Sequence, residues 1–388
     1  MASMNRGIVF RLYGVPACAL VLLSTVTMLL SGCGNFFSCE GKASCPVTGT
    51  TGSTSGDYVY VSNSTTADTY LNGYSPASAT LAATTSSPYS LDFIPSAIAI
   101  TPSNSFMFIS SDSSTGSIYG YTIGTGGQLS ILNSGTPLVN DNVASMDVSP
   151  DGQWLFVLDA APAQEVEIYS INSTTGILTF SSYVALAGAT NGVFTPLSVK
   201  IAPSGEFATC SLGTGGANVF SFDTTTGVPG VANQIIPDNA ATGIYAAAWD
   251  ANNYLYTAGT AGLQVFSVTS AGAPTLDSTY TTGAGAKSIL VNSTSTDVYV
   301  GNQTDGTITG YSIGTNAALT AITGSPFTGP PTVSALATNS TGVYLIAAGY
   351  KASTGIQLFT ISSTGALTLD ASAGSGTTAP VVVLGATH

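Results

Sequence analysis

An apolar strand, a turn rich in Pro, Asn, Asp and Gly, and a second apolar strand recur along this chain at the interval of one supersecondary unit. The clearest copies are IAITPSNSFMFIS at 98–110, MDVSPDGQWLFVL at 146–158 and VKIAPSGEFATCS at 199–211. Looser copies are AAWDANNYLYTAG at 247–259, LVNSTSTDVYVGN at 290–302 and ALATNSTGVYLIA at 335–347. With Pro102, Pro150, Pro203, Asp250, Ser293 and Asn339 as the turn positions, the spacing runs from 43 to 53 residues. A chain built this way stacks like units against one another, and its hydrophobic core lies between them.

A second strand pair follows each copy. Its first member carries an aromatic in register, at Tyr121, Tyr169, Phe220, Phe266, Tyr311 and Phe359, and Tyr74 continues the series backwards. Packing between units is what such a series serves. Turns such as STTG at 173–176, TTTG at 224–227 and SSTG at 362–365 lead into a fourth strand. The two ends complement each other. DYVYVSN at 57–63 matches a second strand with no first strand before it, and APVVVLGATH at 379–388 matches a first strand with nothing after it. Joined, they make a seventh unit and remove both open sheet edges. The expectation is an all-β fold: a seven-bladed β-propeller of four-stranded antiparallel blades, closed by the C-terminal strand completing the N-terminal blade.

Residues 1–32 read as a targeting segment. Arg6 and Arg11 precede an apolar stretch over about residues 15–30, and Leu30, Ser31, Gly32 and Cys33 resemble the lipobox of bacterial lipoproteins. In that motif the cysteine becomes the acylated first residue of the mature chain, so Cys33 is the expected lipidation site. Residues 33–56 then form a Ser/Thr/Gly-rich tether, and 57–388 the propeller. The partner this implies is a membrane reached through a lipid anchor. Gly34, rather than an aspartate, follows Cys33, which favours the outer membrane where the host has one. Cys39 and Cys45 can close a local disulfide or remain two free thiols, and Cys210 falls in a strand where a buried thiol is expected. The formal charge is −13, and no arginine follows Arg11. Nucleic-acid binding needs a basic stripe, so that class is excluded.

YVYVSN at 58–63 and VYVGN at 298–302 resemble the YVTN-type repeat, and the turns followed by aromatic-rich strands resemble the bacterial lactonase family of seven-bladed propellers. The resemblance spans 57–388. It implies the propeller fold and, as an activity, hydrolysis of a sugar lactone in the manner of 6-phosphogluconolactonase-like members. The residues depart from that chemistry. A phosphorylated lactone calls for cations on the phosphate and a group to activate water. Lys200, Lys287 and Lys351 are the only cations after residue 57, and the single histidine is the terminal His388.

No catalytic residues, cofactor or metal site are assigned from the sequence. One histidine and scattered cysteines make no zinc site, no GxSxG elbow is present, and GAGAKS at 283–288 lacks a phosphate loop's glycine and helix. Two groups remain as candidate ligand-binding positions. Asn63, Asp112, Asp159, Asn302, Asp305 and Lys351 fall in or beside the loops joining second to third strands, which cluster at one mouth of a propeller channel. Asp147 and Lys200 occupy equivalent positions in adjacent inner strands, where they can pair across blades or mark a channel site. The functional expectation is a non-catalytic binding or scaffold module of the cell envelope, its partner an envelope protein or glycan. A lactone hydrolase is the alternative.

Overall fold

Within the residues described by the computed structural model (57–63, 69–112, 115–160, 163–188, 192–236, 242–350, 354–374 and 382–388), the chain forms seven antiparallel sheets. Cys33, Cys39, Cys45 and Lys351 lie outside the described residues, as does the side chain of Asn63. Blade 1 comprises Val59–Asn63, Tyr70–Ala77 and Thr80–Ala83, with Val382–Ala386 as its inner strand. Blade 2 runs from Pro95–Ile100 to Leu129–Ile131, blade 3 from Val143–Val148 to Leu178–Ala185, and blade 4 from Ser198–Ile201 to Asn233–Ile235. Blade 5 spans Ile244–Trp249 to Pro274–Tyr280, blade 6 Ala286–Val291 to Phe327–Thr328, and blade 7 Val333–Thr338 to Leu367–Ala373. Each inner strand touches the inner strand of the next blade, and Val382–Ala386 touches those of blades 7 and 2, which closes the ring.

The closure has the register that the complementary ends predict. Val59 pairs with Ala386, Tyr60 with Gly385 and Val61 with Leu384. Thr387 repeats the turn chemistry across the chain ends: its N–H donates to Tyr58 O at 2.9 Å, and its Oγ1 accepts from Tyr58 N at 2.7 Å. Blade 1 is thus made by strands from opposite ends of the propeller sequence, and it leaves no inner edge for another chain to extend.

The core is divided into seven apolar clusters, one at each junction between blades. Each contains one aromatic of the in-register series, packed on the preceding blade. Tyr169 of blade 3 lies with Phe106 and Phe108 of blade 2, and Phe220 of blade 4 with Phe156 of blade 3. Phe266, Tyr311, Phe359 and Tyr121 hold the same place at four other junctions, and Tyr74 packs at the seventh. Six of these seven rings are buried. Burying such a side chain contributes about 1.5–3 kcal/mol, so the series is a principal source of the adhesion between blades.

The repeated turn sits one residue from where proline places it. The position that recurs is Thr101, Ser149, Ala202, Asp250, Asn292 and Asn339, whose N–H groups bond to the carbonyls of Phe106, Trp154, Phe207, Tyr254, Asp297 and Tyr344. At Thr101, Ser149, Asp250, Asn292 and Asn339 the side-chain oxygen also accepts from the backbone as the second strand begins. A short polar side chain bonding its own turn supports five of the six, while Ala202 makes the turn with the backbone bond alone.

Candidate functional site

The first residues of the seven inner strands, and the loops between second and third strands, share one face. The channel at that end is a cavity of about 300 Å³ lined by Ser96, Ser145, Ser198, Tyr245, Lys287 and Ser334, among others. Toward the opposite mouth it widens to about 430 Å³, where Asp147, Lys200, Ile98, Leu336 and His388 contribute. Lys200 lines both parts.

Both described channel lysines are already engaged. Lys200 Nζ lies 3.4 Å from Asp147 Oδ1, the one ion pair among the described residues, and Asp147 Oδ2 accepts from Ile201 N at 2.9 Å. This pair joins blade 3 to blade 4 and is half-exposed, so it guides register more than it stabilises. Lys287 Nζ sits 3.0 Å from the centroid of the Tyr245 ring, a cation–π contact between blades 6 and 5. Burial lowers the Lys287 pKa by disfavouring its charged form. His388 is tied into blade 2: its N–H donates to Asn104 Oδ1 at 2.9 Å, and its ring nitrogen lies 3.3 Å from Ile100 O.

The loop positions named from the sequence separate. Asp112 is exposed, and its N–H bonds to Ile94 O. Asp305 accepts from Ala284 N at 2.5 Å and so caps the Gly-rich segment at 283–285, whose following residues enter the inner strand of blade 6. Asn302 is fully buried and donates to Thr307 and Thr309 Oγ1 at 3.0 and 2.9 Å, leaving its Oδ1 without a donor. These three serve local turns and the interior of blade 6 and do not line the channel.

Asp159 behaves differently. It ends the second strand of blade 3, is 4% exposed, and places a carboxylate oxygen within 4.8 Å of oxygens from Asp141 and Glu167. Asp141 belongs to the segment arriving from blade 2, and Glu167 to the third strand of blade 3. Tyr169 donates its hydroxyl to Glu167 Oε2. Desolvation first, then the neighbouring Asp141, Glu167 and Glu165 charges, raise the Asp159 pKa to about 9. Glu167 is raised as well, chiefly by burial, against the opposing hydrogen bond from Tyr169. The sequence marked Asp159 but not its companions: Asp141 lies 18 residues away beyond an inner strand, and Glu167 looks like a polar strand position. Only the pairing of Glu167 with Val157, on the same pleat face as Asp159, brings the carboxylates together.

The molecule is a seven-bladed β-propeller with a polar channel and a separate acidic cluster at one junction. No protein-family model matches the chain, and no curated protein does. Solved structures do. The periplasmic gluconolactonase of Pseudomonas aeruginosa superposes with a TM-score of 0.69 at 14% identity, over 86% of this chain and 99% of that one. A candidate 6-phosphogluconolactonase from Bacteroides fragilis gives 0.66 at 14% identity, covering 86% and 98%. A protein from Lactobacillus plantarum gives 0.67 at 15% identity, covering 86% and 100%. The structural neighbours are thus 6-phosphogluconolactonase-like propellers, and at this identity the likeness is one of fold.

Proposed function

We propose that this chain is a binding propeller of the bacterial cell envelope, carried by lipidated Cys33, which holds a glycan or envelope protein at its channel face without turning it over. The observation that supports this reading is the state of the channel's ionisable groups. Lys200 is paired with Asp147, Lys287 lies on Tyr245, and Asp147 is the one Asp or Glu side chain lining either described part of the channel. Lactone hydrolysis needs a base beside the substrate carbonyl and a group for the oxyanion. The one channel carboxylate is already occupied by the Lys200 ammonium and the Ile201 N–H.

The hydrolase reading has its own support, since Lys200 and Lys287 line one cavity and a propeller of like fold is a gluconolactonase. One assay separates the two. Purified protein is incubated with glucono-1,5-lactone and with its 6-phosphate, and ring opening is followed by proton release. A rate equal to the buffer blank is the expected result. Turnover above the blank that drops at least tenfold in Lys287→Ala or Lys200→Ala would establish the hydrolase instead.

A further inference from the structure

We propose that Asp141, Asp159 and Glu167 form a binding site for a hard divalent cation, best fitted by Ca²⁺, at the junction of blades 2 and 3. This inference is independent of what the channel binds. Two observations beyond the clustering of acids point to a ligand. Asp159 is more than nine-tenths buried, yet its Oδ1 accepts no hydrogen bond, and Asp141 Oδ2 beside it has no donor either. A buried carboxylate oxygen with no donor is desolvated without compensation, and a cation supplies the missing partner. The protein supplies none there: the only ion pair among the described residues is Lys200 with Asp147, in the channel.

The donor set selects the ion. All three ligands are carboxylates, with no His or Cys among them, which suits a hard cation and not zinc. Oxygens within 4.8 Å of one another are close enough to share one ion, and Ca²⁺, which accepts six to eight oxygens in flexible geometry at about 2.3–2.6 Å, tolerates such a set better than strictly octahedral Mg²⁺ at about 2.0–2.1 Å. The hydroxyl of Tyr169, anchored in the apolar cluster between the blades, fixes Glu167. Gly116 fixes Asp141 from the blade 2 side, where a Cβ would lie 1.9 Å from the Asp141 carbonyl oxygen. Asp141 and Glu167 are half-buried, which leaves water access for the remaining coordination positions. A bound ion would clamp the segment joining blades 2 and 3 onto blade 3.

Thermal unfolding of the full mature chain, stripped with EDTA and then titrated with CaCl₂ or MgCl₂, tests the site. Ca²⁺ is expected to raise Tm saturably by several degrees and Mg²⁺ by clearly less. Asp159→Asn should abolish the Ca²⁺ response. Asp223→Asn, at an exposed carboxylate of blade 4, should keep it. Protons compete with the ion, so the response should strengthen from pH 6 to pH 8. The proposal is overturned if Ca²⁺ leaves wild-type Tm unchanged, or if Asp159→Asn responds as wild type does. The acids would then be a proton-sharing cluster or a general sink for cations.

Discussion

Hairpin glycines seat five of the blades on their predecessors, with Ala79 and Ala317 in the other two, and Gly227 shows how. It has φ +71°, in the left-handed region, and a Cβ there would lie 2.3 Å from the Trp154 ring of blade 3. The indole Nε1 donates to Thr224 O at 2.9 Å, so the ring cannot retreat without losing that bond. Gly227→Ala should therefore cost more than the roughly 1–2 kcal/mol of a left-handed alanine alone. Gly124→Ala is the control, since its φ is −93° and its nearest Cβ neighbour lies at 3.5 Å. Chemical denaturation of both should place Gly227→Ala at least 2 kcal/mol below Gly124→Ala. Equal midpoints would show that the Trp154 contact is soft. The same residue-scale chemistry recurs at Asn172, Asn292 and Asn339, whose side-chain oxygens each accept from their own turn backbone.

At the scale of the element, the divided blade makes a prediction about chain connectivity. In blade 2 the turn from Thr101 to Phe106 has four intervening residues. Across the chain ends the same bond runs from Thr387 to Tyr58, with only His388 and Asp57 between them. Two added residues, Asn-Gly for instance, would complete the turn. A permutant of 57–388 joined this way and opened between Pro203 and Ser204, both exposed in the matching turn of blade 4, should fold with a Tm within a few degrees of the parent. Opening instead between Phe156 and Val157, both fully buried mid-strand, should abolish cooperative unfolding. A first permutant that failed to fold would mean the ends are held differently. The elements were legible because each blade repeats one local grammar: the strand pairs, the aromatic series from Tyr74 to Phe359 and the split ends all reappear in the sheets. In the three clearest copies turn register was read from proline, one residue late, and the side-chain bonds of Thr101 and Ser149 are not revealed by a pattern of proline; Asp250 and Asn339 were read in place. The Asp147–Lys200 pair was legible as neighbours in equivalent strands. Asp141, Asp159 and Glu167 were not, because their meeting depends on strand pairing and on a connecting segment without repeat character.

For the whole molecule, charge bears on how the propeller would meet a membrane under the proposed lipid anchoring. From residue 57 onward eighteen carboxylates face three lysines and no arginine. Anionic lipid headgroups attract basic segments by about 1 kcal/mol per Lys or Arg and repel a surface of the opposite balance. The propeller therefore offers no electrostatic hold on a bilayer, and among the described residues no helix is long and apolar enough to cross one. Attachment would rest on the acyl chains at Cys33, and two or more of them give stable anchoring where one does not. The lipoprotein reading thus makes a prediction that ordinary peripheral binding does not. Wild-type protein should stay in the membrane fraction at 1 M salt and leave it only with detergent, because screening acts on charges and not on buried methylenes. Cys33→Ser should incorporate no labelled palmitate and should partition away from extracted lipid at low salt as well as high. Membrane attachment that survives Cys33→Ser but yields to salt would assign the hold to a charged partner. The acidic cluster between blades 2 and 3 would then be the first place to look for its contact through a bridging cation.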